Sequence, residues 1–233
     1  MIVNAFTVVM LLPPVLAGCA FGLQPGIADP GHARVLRAGS FNVSVHAGAA
    51  GATEVPPSEG IALATAGGAR IEVQATDTIA WGVDGLAATS VRPGLQLGGE
   101  GVSSEGAFTA AAAKGFLTWN PAPPVALRAG VGGGVVTFSP ETGPWVVGDF
   151  AVAYAPLTMA LFEPYVFADL ALSGPYQPLV ALAVGVGIDA TIVEWCSLGA
   201  GVYLEAATVP GAAAVSGGGR ISAIFKAPLT IFR

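Results

Sequence analysis

The chain has 233 residues, of which 53% are hydrophobic and 10% charged, and its formal net charge is −6. Soluble domains average about 25% charged residues, so this chain has too few charges to cover an ordinary water-facing surface. Disordered chains are poor in hydrophobic residues, and nucleic-acid-binding proteins need a basic face; the composition therefore excludes disorder and predicts no nucleic-acid partner. It favours a membrane protein.

The first 18 residues are apolar and run directly into Cys19. A short apolar run that ends in small residues is typical of a secretory signal peptide. The segment Leu16-Ala17-Gly18-Cys19 resembles the lipobox of bacterial lipoproteins. That resemblance implies cleavage before Cys19 and attachment of lipid to it, and Ala20 implies sorting to the outer membrane of a Gram-negative bacterium. The alternative is an N-terminal core strand that ends by chance at a cysteine.

Residues 20–37 contain two Pro-Gly pairs and are interpreted as a flexible tether. The predicted organisation is a signal peptide over 1–18, a lipid-anchored tether over 19–37 and one β domain over 38–233. With Cys19 acylated, Cys196 is the one remaining thiol, so no intramolecular disulfide is expected.

Beyond the tether, apolar and polar residues alternate with a period of two, which predicts strands. The longest uncharged stretch there, 170–188, contains two prolines and is a poor spanning helix. Residues 49–67 are interpreted as a long loop and 88–106 as a loop or an extra hairpin, while Ala110–Ala113 leave a helical turn open. The predicted strands are 38–48, 68–76, 78–87, 107–119, 124–138, 145–155, 161–172, 178–190, 194–207 and 214–226.

Charged residues in these strands lie opposite the apolar face, among Gly, Ala and Ser. Such a polar face is too small for a solvated exterior but suits the lumen of a narrow barrel in lipid. The pattern over 38–233 resembles small outer-membrane β-barrels of Gram-negative bacteria. The predicted fold is all-β, a single closed antiparallel up-and-down transmembrane barrel of about ten strands (range 8–12). The predicted lumen-facing polar residues are Arg70, Glu72, Arg128, Asp149, Glu163, Asp169, Glu205 and Arg220.

Catalytic chemistry has little support in the sequence. No metal-binding or nucleophile motif is recognisable, so we predict no catalytic residue, metal or cofactor. His46 is interpreted as a lumen histidine rather than a base, and 130–134 as small-residue packing rather than a phosphate loop. Asp149 and Asp169 are expected to form ion pairs with Arg128 and Arg220, and a proton-sharing pair is the alternative.

Five aromatic residues lie near predicted strand ends, as residues of an interfacial belt would: Trp81, Trp119, Trp145, Tyr154 and Trp195.

Three functions are compatible with this pattern. The first is a non-enzymatic outer-membrane barrel lipoprotein that acts as a structural element, a narrow pore or a component of an envelope complex, with outer-membrane lipids and envelope proteins as partners. The second is a soluble periplasmic lipoprotein that binds a hydrophobic ligand. The third, favoured least, is an enzyme acting on envelope lipids.

Overall fold

The computed structural model describes residues 38–55, 62–91, 108–122, 124–138, 141–156, 161–175, 179–209 and 212–228. These residues form ten strands: β1 (Ser40–Val55), β2 (Ala62–Gln74), β3 (Ile79–Val91), β4 (Phe108–Ala122), β5 (Val125–Phe138), β6 (Glu141–Tyr154), β7 (Phe162–Pro175), β8 (Leu179–Val193), β9 (Cys196–Val209) and β10 (Ala212–Pro228). Within these ranges, no helix is long and apolar enough to cross a membrane.

The strands close into a barrel. Each strand pairs antiparallel with its neighbours in the sequence, and β1 also pairs with β10. A path of paired residues that starts at Asn42 and runs once around the barrel returns to β1 at Glu54, twelve residues further along. This offset means that the strands are tilted by about 40° from the barrel axis. The predicted closed, antiparallel, ten-stranded barrel is confirmed.

The barrel has two distinct ends. At the end that we call terminal, β1 begins and β10 ends, and the connections to β3, β5, β7 and β9 are short. The end that we call distal carries the other connections, among them residues 92–107 between β3 and β4.

Two predicted boundaries were wrong. Residues 49–67 are not one long loop, because β1 continues to Val55 and β2 begins at Ala62, with pairs from Ala47 and Gly67 to Ala52 and Ala62. The strand residues in this segment, 49–55 and 62–67, are mostly Ala and Gly, so both faces have similar hydropathy and the alternation is hidden. β3 likewise extends to Val91, and residues 92–106 lie outside the described ranges.

The alanine run of β4 is also extended. Ala110–Ala113 pair with β3 on one side and β5 on the other, so the helical alternative is wrong.

The two faces of the sheet have opposite character. The outer face exposes large apolar side chains, among them Val131 (67% exposed), Leu204 (64%) and Ile221 (65%). The inner face holds buried polar and charged residues together with Gly and Ala. Because the strands have 13 to 17 residues, each is long enough to cross a hydrocarbon layer that a tilted strand spans in about 9–11.

Candidate functional site

The lumen is the candidate site, and its lining changes along the barrel. The distal part is apolar: Trp145 and Val136 are buried there with Leu86, Val147 and surrounding alanines. The terminal part is lined by buried polar side chains, including Gln74. Between the two lies a layer of charged residues.

On the β2–β6 side, this layer is a chain of ion pairs that we call the ion-pair wall. Arg70 Nη2 lies 3.0 Å from Asp84 Oδ2, and Lys114 Nζ lies 3.9 Å from the same oxygen. Lys114 Nζ also donates to Asp149 Oδ2 at 2.7 Å, and Arg128 Nη2 donates to that oxygen at 3.1 Å. All five side chains are at most 6% exposed, so removing one partner would leave a buried charge uncompensated.

Strand register explains part of this chain. Arg70 lies directly opposite Asp84, and Asp84 directly opposite Lys114, on the inner face of three successive strands. Side chains in directly opposed positions have Cβ atoms about 5 Å apart, within reach of an ion pair.

Glycines on β5 explain how Lys114 reaches Asp149 on β6. The inner face of β5 between them carries Gly130 and Gly132. A Cβ atom on Gly132 would overlap the Ala113 carbonyl oxygen and the Cα and Cβ atoms of Lys114, and one on Gly130 would overlap the Asp149 carboxylate. The glycines therefore leave the space in which the lysine crosses β5.

A phenylalanine ring contacts both arginines of the ion-pair wall. Arg70 Cζ lies 5.3 Å from the centroid of the Phe116 ring, and Arg128 Cζ lies 5.5 Å from it. The ring is buried, so both cation–π contacts act away from water, where such contacts are strongest.

The β7–β10 side is built differently, from aromatic rings laid over glycines, and we call it the aromatic wall. Tyr165 lies in one row with Gly187, Gly201 and Arg220. A Cβ atom on Gly187 would overlap the Tyr165 ring, so the ring occupies the space that the missing side chain leaves. Arg220 Nη2 donates a hydrogen bond to the Tyr165 hydroxyl.

The next row repeats this arrangement. A Cβ atom on Gly185 would lie 2.6 Å from the Phe167 ring, and one on Gly218 would overlap the Tyr203 hydroxyl. Arg220 Cζ also lies 5.1 Å from the centroid of the Phe167 ring. Glycines on these strands therefore leave the space that aromatic rings occupy in this half of the lumen.

The residues named from the sequence lie as follows. Arg70, Arg128, Asp149, Glu163, Asp169, Glu205 and Arg220 are buried, and Glu72 is half-buried. Cys19 lies outside the described residues. His46 is buried on β1, and a Cβ atom on Gly68 would lie 2.7 Å from its Nε2.

The expected pairing of the aspartates is only half correct. Asp149 is held by Arg128 and by Lys114, whereas neither oxygen of Asp169 accepts a hydrogen bond from a described residue. Arg220 donates instead to Tyr165.

Sequence reasoning missed two members of the ion-pair wall, Asp84 and Lys114. Asp84 lies between the outward Val83 and Gly85 in a predicted strand, so the alternation alone places it on the inner face. Lys114 follows the alanine run, where both faces have similar hydropathy and only the downstream Phe116 marks the inner face.

Metal-binding groups of three or more His, Cys, Asp or Glu side chains do not occur in the described ranges.

Aromatic residues on the outer face are concentrated at the terminal end. Trp81 (53% exposed), Trp119 (50%) and Trp195 (60%) lie there together with Tyr154. Trp145 is an exception to the predicted belt: it is 2% exposed and lies inside the distal lumen. Trp145 alternates in step with Val147 and Asp149, which lie on the inner face. The interpretation as a belt residue did not take this alternation into account.

No protein-family model matches the chain, and no curated protein matches its sequence. An outer membrane channel from Pseudomonas putida F1 has a similar structure, with a TM-score of 0.53 and 11% identity over 86% of this chain and 100% of that chain. The β domain of the Bordetella autotransporter BrkA gives a TM-score of 0.44 and 12% identity over 78% and 98% of the two chains. At these identities the first likeness establishes the barrel fold alone, and the second, below 0.5, adds nothing to it.

Proposed function

We propose that this chain is a non-enzymatic outer-membrane β-barrel protein of a Gram-negative bacterium. The observation that carries the proposal is the inversion of the two faces, with apolar side chains outside and ion pairs inside a closed sheet. A sheet in lipid must close because hydrocarbon offers no hydrogen bonds to a free edge. The outward Trp and Tyr residues of the terminal end lie at one membrane–water interface.

A packed barrel with a structural role fits the lumen best. Buried Trp145 and Val136 pack in its distal part, and the ion-pair wall lines one side of its centre. A hydrophobic ligand in the lumen would lie against buried charges, which argues against the soluble lipoprotein.

A narrow channel is the second candidate. The lumen is polar from the terminal end to the central layer, and the P. putida protein with this fold is named an outer membrane channel. Conductance across a planar bilayer distinguishes the two: a packed barrel gives no unit steps, whereas a channel gives steps of constant size.

The membrane location is tested with the folded chain in detergent. We expect a β-type circular dichroism spectrum, a heat-dependent shift in gel mobility, and aggregation on removal of detergent. A Cys19→Ser chain cannot carry the proposed lipid. If such a chain stays monodisperse without detergent, the proposal is contradicted.

The outer face offers a sharper test at Val131, near the middle of β5. Arginine there should destabilise the barrel in lipid vesicles by about 2–4 kcal/mol, because its charge would face hydrocarbon. Val131→Ala is the matched control and should have a much smaller effect. Equal effects of the two changes would mean that this face does not contact lipid.

Residues 1–37 are proposed to be a signal peptide followed by a lipid-anchored tether, with lipid on Cys19, outer-membrane lipids around the barrel and envelope proteins as partners. The lipobox resemblance supports this proposal. Labelled palmitate should be incorporated into the chain and lost in Cys19→Ser. Incorporation that this change leaves unaffected would refute the anchor.

A further inference from the structure

Two buried carboxylates on the aromatic wall differ from those of the ion-pair wall. Asp169 on β7 is 1% exposed and Glu205 on β9 is 2% exposed. None of their four oxygens accepts a hydrogen bond from any residue in the described strands. Burial of a carboxylate without a hydrogen-bonding partner is costly, so a bound species that contacts these oxygens would stabilise the barrel.

The register brings the two carboxylates toward each other. Asp169 lies opposite Ala183, and Ala183 lies opposite Glu205, so the three occupy one row of the inner face. Neighbouring strands lie about 4.8 Å apart, which places the two acidic residues about 10 Å apart along the sheet. Inward side chains of a narrow barrel converge, and Ala183 between them is too small to fill the space.

One hydroxyl group lies beside these carboxylates. Ser216 on β10 is directly opposite Glu205 and is 2% exposed. The Tyr203 hydroxyl, by contrast, lies over Gly218 in the next row. The row from Asp169 to Ser216 thus collects two carboxylates and one hydroxyl.

The neighbouring cationic side chains are directed elsewhere. Lys114 and Arg128 donate to Asp149 on the opposite wall. Arg220 donates to the Tyr165 hydroxyl and lies over the Phe167 ring.

We propose that Asp169 and Glu205, with the hydroxyl of Ser216, bind a divalent cation of the calcium type in the lumen. Hard divalent cations prefer oxygen ligands, and Ca²⁺ accepts carboxylates, hydroxyls and water in flexible geometry. Two carboxylates supply the charge that balances such an ion. The site requires the barrel fold but not the proposed membrane location, so either proposal can fail without the other.

The test uses the full chain folded in detergent, with calcium chloride as the probe. Isothermal titration calorimetry should show one bound Ca²⁺ per chain, and Asp169→Asn and Glu205→Gln should each weaken binding by at least about tenfold. Glu163→Gln removes a buried carboxylate on the same wall near the terminal end and should leave binding unchanged.

Thermal unfolding gives a second readout that distinguishes binding from damage to the fold. In EDTA, Asp169→Asn should unfold at the same temperature as the unaltered chain or higher, because it removes an unpaired charge. In calcium it should unfold at a lower temperature, because only the unaltered chain gains from ligand binding. Ser216→Ala keeps both carboxylates and should weaken Ca²⁺ binding less than either amide variant.

Several results would overturn the proposal. These are heat of binding that persists in both amide variants, a response to potassium chloride equal to that to calcium, or the absence of any Ca²⁺ response in the unaltered chain. The last result, together with an infrared band of protonated carboxyl groups lost in Asp169→Asn, would show that protons rather than a cation neutralise the pair.

Discussion

The two walls of the central lumen are filled by different kinds of side chain. On β2–β6, three cations and two carboxylates form one chain of ion pairs with one positive charge in excess, and the glycines of β5 give Lys114 room to reach Asp149. On β7–β10, aromatic rings pack over glycines, and two carboxylates remain without hydrogen bonds from the described residues. The first wall therefore contributes to stability, whereas the second holds the carboxylates of the proposed cation site.

The largest expected effect comes from removing the acceptor that two cations share. Asp149→Asn should destabilise the barrel by about 3–5 kcal/mol, because Lys114 and Arg128 would stay buried without their carboxylate. Denaturant-induced unfolding in detergent measures the change. Asp169→Asn in EDTA is the matched variant on the aromatic wall and should not destabilise. Similar losses from both changes would remove the contrast between the walls.

Glycine substitutions should give the next largest effect, and they test both walls. Gly132→Ala should cost about 1–3 kcal/mol because the added methyl group would overlap the Ala113 carbonyl oxygen and Lys114, and Gly187→Ala should cost a similar amount because it would overlap the Tyr165 ring. Gly133 points outward, and a Cβ atom there would lie 3.5 Å from the nearest atom, a carbonyl oxygen of Trp145. Gly133→Ala is therefore the control and should change the free energy of unfolding little. If Gly133→Ala lowers the free energy of unfolding as much as Gly132→Ala does, strand propensity rather than the space in the lumen causes the loss of stability.

Much of the fold was predictable from alternation, and the pairing within the site was not. Val180, Leu182 and Val184 alternate with small residues so regularly that β8 could be placed from the sequence alone. Where both faces are Ala or Gly, as at the distal end of β1, hydropathy has no period and the strand was missed. Ion pairing depends on register, which is set by the whole barrel. Parity could therefore assign Arg128 and Asp169 to one face but could not reveal which of them has a partner.

The smallest expected effect concerns the aromatic ring that each wall places against arginine. Phe116 contacts two guanidinium groups, whereas Phe167 contacts one, that of Arg220. Phe116→Leu keeps most of the apolar volume but removes both cation–π contacts, so it should cost about 1–2 kcal/mol. Phe167→Leu should cost less, since it removes one such contact and Arg220 keeps its hydrogen bond to Tyr165. Unfolding in denaturant at low and high salt is the measurement. Since both rings are buried, the difference between the variants should be the same at the two salt concentrations, and a difference that disappears in high salt would place the arginines in contact with solvent.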